Sequence, residues 1–160
     1  METAKQVSIF LENKPGRLAN VLSALAKEKV NVTALTVMDS HEHSVLRLVI
    51  SELEKTKQVL KTLNTPFTET DVLLVDLRNQ PGALAHVCET LANEHINIDY
   101  CYCSSGGRNG RVQGIFKVSG ADRALKVLNN GVSSNGAKKV KQRPLRDLRS
   151  YKVPNNGRGM

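Results

Sequence analysis

Asn13-Lys14-Pro15-Gly16-Arg17-Leu18-Ala19 decides the fold, because the chain repeats it. Asn79-Gln80-Pro81-Gly82-Ala83-Leu84-Ala85 follows 66 residues later. Each copy follows an apolar alternating run and precedes a helical pattern, so each reads as the strand-to-helix turn of a repeated module. Ahead of the first copy, Val7, Ile9 and Leu11 alternate with Gln6, Ser8 and Glu12. Behind it, Leu18, Val21, Leu22, Leu25 and Ala26 fall at the spacing of one helix face. Leu73, Val75 and Leu77, then Leu84, Val87, Cys88, Leu91 and Ala92, repeat both patterns. Between 13–32 and 79–98, ten of twenty positions are identical, which makes the repeat a duplicated unit and not a shared turn alone. In each turn Pro suits the first helical positions, and Asn is placed to cap the helix.

Outward from the turns, the remaining elements also come in pairs. Val30, Val32 and Ala34 begin a second strand that runs to about Met38, and Ile96 and Ile98 begin its counterpart. Polar loops follow, Asp39 to Ser44 in one copy and the Gly-rich Ser104 to Gly110 in the other. Val45 to Ile50 and Val112 to Val118 are the third strands. Helices are expected at Leu53 to Leu63, with Leu53, Thr56, Leu60 and Leu63 inward, and at Ala121 to Asn129, anchored by Leu125 and Leu128. Pro66 to Thr70 is a last short strand that runs into the next module, and 137–142 is its weak counterpart. The order strand-helix-strand-strand-helix-strand predicts an α+β fold: two ferredoxin-like βαββαβ modules, antiparallel sheets with helices on one face. The expected divisions are 1–70, 71–143 and a basic, flexible C-terminal tail at 144–160. Leu35, Val37, Val45, Val49 and Phe10 leave the back of the first sheet apolar. Such a face needs a cover, from the other module or from a second chain, and a homodimer is expected.

Charge points away from the folded body. The net charge is +8, but 137–160 hold eight Lys or Arg against one acid, so +7 of it lies in the tail. That tail carries the alternative function, a nucleic acid or an acidic partner held through basic residues. No apolar run reaches the length of a membrane helix. Met1 to Gln6 lack the basic and apolar regions of a signal peptide, so the expected compartment is the cytoplasm. Three cysteines, Cys88, Cys101 and Cys103, suit a reducing compartment and read as apolar filler.

Catalytic patterns are missing. No nucleophile elbow, phosphate-binding loop or zinc-protease helix is present. His41, Glu42 and His43 form a polar loop short of a metal set, and Cys101 and Cys103 have no second pair at zinc spacing. Tyr100 and Tyr102 alone could stack bases, and they share parity with Ile96 and Ile98. No catalytic residue, metal ligand or cofactor is therefore assigned, and the chain is not expected to be an enzyme.

Strand, Asn-x-Pro-Gly-x-Leu-Ala, helix, then Val30-Asn31-Val32 or Ile96-Asn97-Ile98 resembles the ACT domain family, twice, over residues 4 to about 142. The whole chain resembles the small stand-alone tandem ACT proteins. That resemblance implies binding of an amino acid or similar effector near these turns, in a regulatory or sensor protein that could act on a partner enzyme. The physics agrees: a helix N-terminus offers unpaired N–H groups and partial positive charge to a carboxylate. Candidate ligand-binding residues are Asn13, Lys14, Gly16, Arg17 and Leu18 in the first copy. In the second they are Asn79, Gly82, Ala83 and Leu84. Asn31 and Asn97 are candidates from across an interface. Lys14 and Arg17 face Gln80 and Ala83, which makes the first turn the expected site for an anion.

Overall fold

The computed structural model describes residues 1–39, 43–105 and 111–133. The elements run β1 (Glu2–Glu12), α1 (Arg17–Lys27), β2 (Val32–Asp39), β3 (His43–Ile50), α2 (Leu53–Thr62), β4 (Phe67–Arg78), α3 (Ala83–Asn93), β5 (Ile98–Ser105), β6 (Arg111–Val118) and α4 (Ala121–Ser133). The strands form one sheet in the order β2-β3-β1-β4-β6-β5, antiparallel at every pairing. The fold is the expected α+β tandem of ferredoxin-like modules.

The modules share the sheet because β4 is unbroken. Its first part pairs with β1, from Ile9↔Phe67 to Glu2↔Leu74. Its second part pairs with β6, from Leu73↔Phe116 to Arg78↔Arg111. No Gly or Pro stands within 67–78 to stop the strand. The β1–β4 pairing includes Lys5↔Asp71, repeat-equivalent residues whose side chains bridge at 2.7 Å. A local two-fold therefore relates the copies. Glu2 to Ala4 take the place beside β4 that Thr68 to Thr70 take beside β1. The strand expected at 137–142 and the basic tail lie outside the described residues, as do His41 and Glu42.

Strand parity puts both helical layers on one side. Val7, Ile9, Leu11, Leu46 and Leu48 pack with Val21 and Leu25 of α1 and Val59 and Leu60 of α2. Leu73, Val75, Leu77 and Phe116 pack with Val87 and Leu91 of α3 and Ala124 and Leu128 of α4. Phe67, which packs on the first core, has the same parity along β4 as the residues of the second.

The middle of the other face is buried as well, while Phe10 and Met38 toward its end stay exposed. Ala34, Val49, Val72, Leu74 and Ile115 form a third core. Its cover is the sheet itself, coiled until its outermost strands touch, with Ser104 Oγ donating to the Thr33 carbonyl at 3.3 Å. Fully buried Gln6 spans the hollow: its Nε2 donates to Tyr100 Oη at 2.6 Å, and Tyr102 Oη donates to its Oε1 at 3.0 Å. The Arg47 guanidinium stacks 4.2 Å over the Tyr100 ring. Burial pushes the Tyr102 hydroxyl far above its usual range, so it stays a donor.

Two bulges make this seam and correct the expected parity. Register slips between Val32 and Ala34 and between Ile98 and Tyr100. A one-residue slip turns the following side chains over. Val32 and Ile98 therefore join the helix-facing cores, while Ala34 and Tyr102 join the hollow core. Tyr100 and Tyr102 do not share a face with Ile98, and no row of open aromatics results.

Candidate functional site

Both repeated turns close in the same way. After β1, Lys14 N–H donates to the Glu12 carbonyl at 2.8 Å, and Arg17 N–H makes a long 3.3 Å bond to Lys14. After β4, the matching bonds from Gln80 to Arg78 and from Ala83 to Gln80 are also 2.8 and 3.3 Å. The helix N-cap is the glycine and not the expected asparagine: Gly16 has φ 85° and Gly82 φ 87°, both left-handed. Pro15 and Pro81 therefore stand before the cap, outside the helices. Positive φ, rather than crowding, accounts for the glycines, since a Cβ at either would meet nothing within 4 Å.

This cap leaves donors. A glycine has no side chain to turn back on the helix, and neither cap makes a side-chain hydrogen bond. The first turn-internal acceptor, the Gly16 carbonyl, takes Asn20 N–H at 2.9 Å, and Gly82 takes His86 N–H at 2.9 Å. The N–H groups of Leu18 and Ala19, and of Leu84 and Ala85, have no backbone acceptor among the described residues. Each helix start thus presents a pair of donors without backbone partners at the positive end of a dipole.

Side chains make the two turns unlike. In the first, Glu12 accepts from Arg17 at 2.7 Å and pairs with Lys14 at 3.2 Å. Arg17, then Lys14, hold the exposed Glu12 carboxyl below its ordinary range. The expected cations are therefore already engaged, and Glu12 belongs to the site that sequence alone did not include. The equivalents of Glu12, Lys14 and Arg17 are Arg78, Gln80 and Ala83. Arg78 has no ion-pair partner among the described residues. Each trio sums to +1, so the second turn is no less suited to an anion.

A cavity of about 150 Å³ adjoins the first turn, walled by Glu12, Arg17, Asn20, Asn64, Thr65 and Pro66. Its size is that of one small amino acid. Asn64 caps α2 in a left-handed conformation with φ 50°, which brings Thr65 and Pro66 beside the end of β1. Asn64 and Asn20 join the site only in the structure; the Leu-Asn-Thr-Pro turn is a sequence signal for Asn64, and Asn20, on α1, has none. A larger groove of about 330 Å³ opens between α1 and α2, lined by Ala24, Lys27, Glu28, Lys55, Gln58 and Thr62 among others. It is the roomier space but touches neither glycine-capped helix start, so the smaller cavity, which Arg17 of α1 lines, has the stronger chemistry.

The turns lie at opposite ends of the antiparallel β1–β4 pair and do not meet within one chain. Asn31 and Asn97 stand apart from both. They precede β2 and β5, whose first pairs, Val32↔Ile50 and Ile98↔Val118, lie level with the middle of the sheet. About seven residues of strand, roughly 23 Å, separate each from a turn. Asn97 Nδ2 donates to Asp99 at 2.9 Å, and its N–H to Ser119 Oγ at 3.1 Å. Among the described residues, no three His, Cys, Asp or Glu side chains are arranged as a metal set, and no helix is long and apolar enough to cross a membrane.

A family model described as ACT domain pair matches residues 2–141. No curated protein matches the chain. Among solved structures it is similar to protein BT0572 from Bacteroides thetaiotaomicron, at 36% identity over 81% of this chain and 89% of that one, with a TM-score of 0.76. It shares its fold with the ligand-free regulatory subunit of aspartate kinase from Thermus thermophilus, at 14% identity over 81% and 97%, TM-score 0.60. The Thermus flavus regulatory subunit is similar at 16% identity over 82% and 94%, TM-score 0.56.

Proposed function

The chain belongs to the ACT domain pair family, and from that premise we propose that it is a regulatory protein that binds an amino acid and catalyses nothing itself. The carrying observation is the doubled helix start: a left-handed glycine cap with open space before it and two N–H groups without backbone acceptors behind it. A ligand carboxylate docks on those donors. Its ammonium meets Glu12 or the Asn20 and Asn64 amides at the first turn, where the cavity lies. Gly16, Leu18, Lys14 and Arg17, and Gly82, Leu84 and Ala83, form the floors of the two sites, with Asn13 and Asn79 at their entrances. Asn31 and Asn97 reach a turn only from a second copy, so the complete site belongs to a homodimer. Working in the cytoplasm, the dimer passes its bound state to a partner enzyme; the fold shared with aspartate kinase regulatory subunits supports this role.

Thermal-shift screening against the common amino acids tests the reading, with calorimetry on each hit. At least one should raise the melting temperature in a concentration-dependent way, since a ligand of the native state alone stabilises it by mass action. Silence from every amino acid would refute it.

A further inference from the structure

All three cysteines occupy one trio of equivalent positions. A shift of 66 residues carries Leu22 to Cys88, Leu35 to Cys101 and Val37 to Cys103. In the first module the trio is apolar, with Leu22 half-buried on α1 and Leu35 and Val37 exposed 46% and 43% on β2. In the second, Cys88 is half-buried on α3 against the Phe116 core, and Cys101 and Cys103 are exposed on β5. Small apolar filler gives no reason for sulfur at these three neighbouring places and nowhere else.

Register fixes the side on which the thiols stand. Cys101 lies opposite Phe116 and Cys103 opposite Gly114, and Phe116 belongs to the helix-facing core. Both strand thiols therefore project to the side where α3 packs. Buried Leu46 stands opposite Val37 in the first module. Gly114 stands opposite Cys103, where an added Cβ would come within 2.7 Å of the Phe116 ring. Cys103 thus has no cross-strand side chain beside it. The thiols are also in electrostatic reach of one another: burial first, then Cys101 and Cys103, push the Cys88 thiol up.

We propose that Cys88 and Cys101 are a dithiol which a low-molecular-weight disulfide oxidises to a bridge between α3 and β5. The exposed Cys101 thiolate attacks one sulfur of RS–SR, forms Cys101–S–SR and expels RS⁻, which takes up a proton. Cys88 then loses its proton and attacks the Cys101 sulfur, closing the bridge and expelling the second RS⁻, which is protonated in turn. Two thiols lose two hydrogens, and RSSR becomes two RSH. The bridge ties the helix that carries the Gly82 turn to an edge strand. The first module, with Leu22 and Leu35, has no such tie.

The full chain treated with oxidised glutathione, then cleaved after Glu89 and Glu94, separates Cys88 from Cys101 for mass spectrometry. The expected result is a chain lighter by two hydrogens, with linked peptides that dithiothreitol releases and a melting temperature several degrees above the reduced form. The link should vanish in Cys101→Ser and in Cys88→Leu, the first module's residue, and survive in Cys103→Ser. Cys101→Ser alters an exposed position, so it decides the matter alone if Cys88→Leu does not fold. Glutathione adducts at Cys101 and Cys103 without a bridge would overturn the proposal, as would a link that persists in Cys101→Ser.

Discussion

Gly16 and Gly82 have φ of 85° and 87° and ψ of −16° and −14°, yet the residues around them have exchanged charge. Glu12, Lys14 and Arg17 surround the first glycine; Arg78, Gln80 and Ala83 surround the second. The pairing of backbone sameness with side-chain difference separates two requirements. A left-handed residue before a helix is a demand of the fold, and it is met identically. Charge near the helix start is not such a demand, so it is free to set ligand preference. The first turn pairs both of its cations with Glu12, whereas the second leaves Arg78 without an ion-pair partner among the described residues.

If the backbone demand is equal at the two turns, breaking it should cost the same at both. Gly16→Val and Gly82→Val each place a β-branched residue in left-handed space and should lose about 2 kcal/mol. The turns share no partners, so the double variant should lose about 4 kcal/mol in urea denaturation. A large inequality would show that the turns are not equivalent. Next in size is the seam that closes the hollow. Gln6→Ala strands two tyrosine hydroxyls in the hollow and leaves a void, at a cost of about 3 kcal/mol. Unfolding should become less cooperative, seen as separate fluorescence and circular dichroism transitions.

A smaller effect, of opposite sign, tests the helix ends. Lys29 and His95 are repeat equivalents with φ of 57° and 54°. Each closes its helix with the 6→1 and 5→2 bonds of a Schellman motif, Val30 to Leu25 and Ile96 to Leu91 being the wider ones. Lys29→Gly and His95→Gly should each stabilise by about 0.5–1 kcal/mol in the same denaturation assay. The smallest effect is the charge exchange itself. Glu12 has a lowered carboxyl pKa in the fold, so its stabilising contribution is present above the ordinary 4.5 and is lost as pH falls through the folded value. Carboxyl NMR should find Glu12 titrating below 4.5 and returning toward it in Arg17→Ala. Such an exposed pair should leave the unfolding midpoint almost unmoved.

The repeat was legible because its signals are local. Pro-Gly before an apolar stripe marks a strand-to-helix turn, and two copies at one spacing give the modules and their order. The hollow was not legible. Thr33 and Asp99 carry no bulge signature, yet one extra residue at each turns Ala34, Tyr100 and Tyr102 to the far side. The left-handed helix ends at Lys29 and His95 had no sequence cue either. At the site, the turns could be placed but the pairing of Arg17 with Glu12 could not, since it depends on how β1 leads into the turn. For the same reason the sequence favoured the first turn for an anion, while the structure puts equal net charge at both.

The central claim is that the helix starts are the ligand sites, and their first-turn amides, which have no backbone acceptor, report on it directly. Amide NMR of the full chain, titrated with an amino acid that raises its melting temperature, should move Leu18 and Ala19, or Leu84 and Ala85, more than any other residues. Shifts that leave all four amides in place and cluster instead along the groove between α1 and α2 would contradict it.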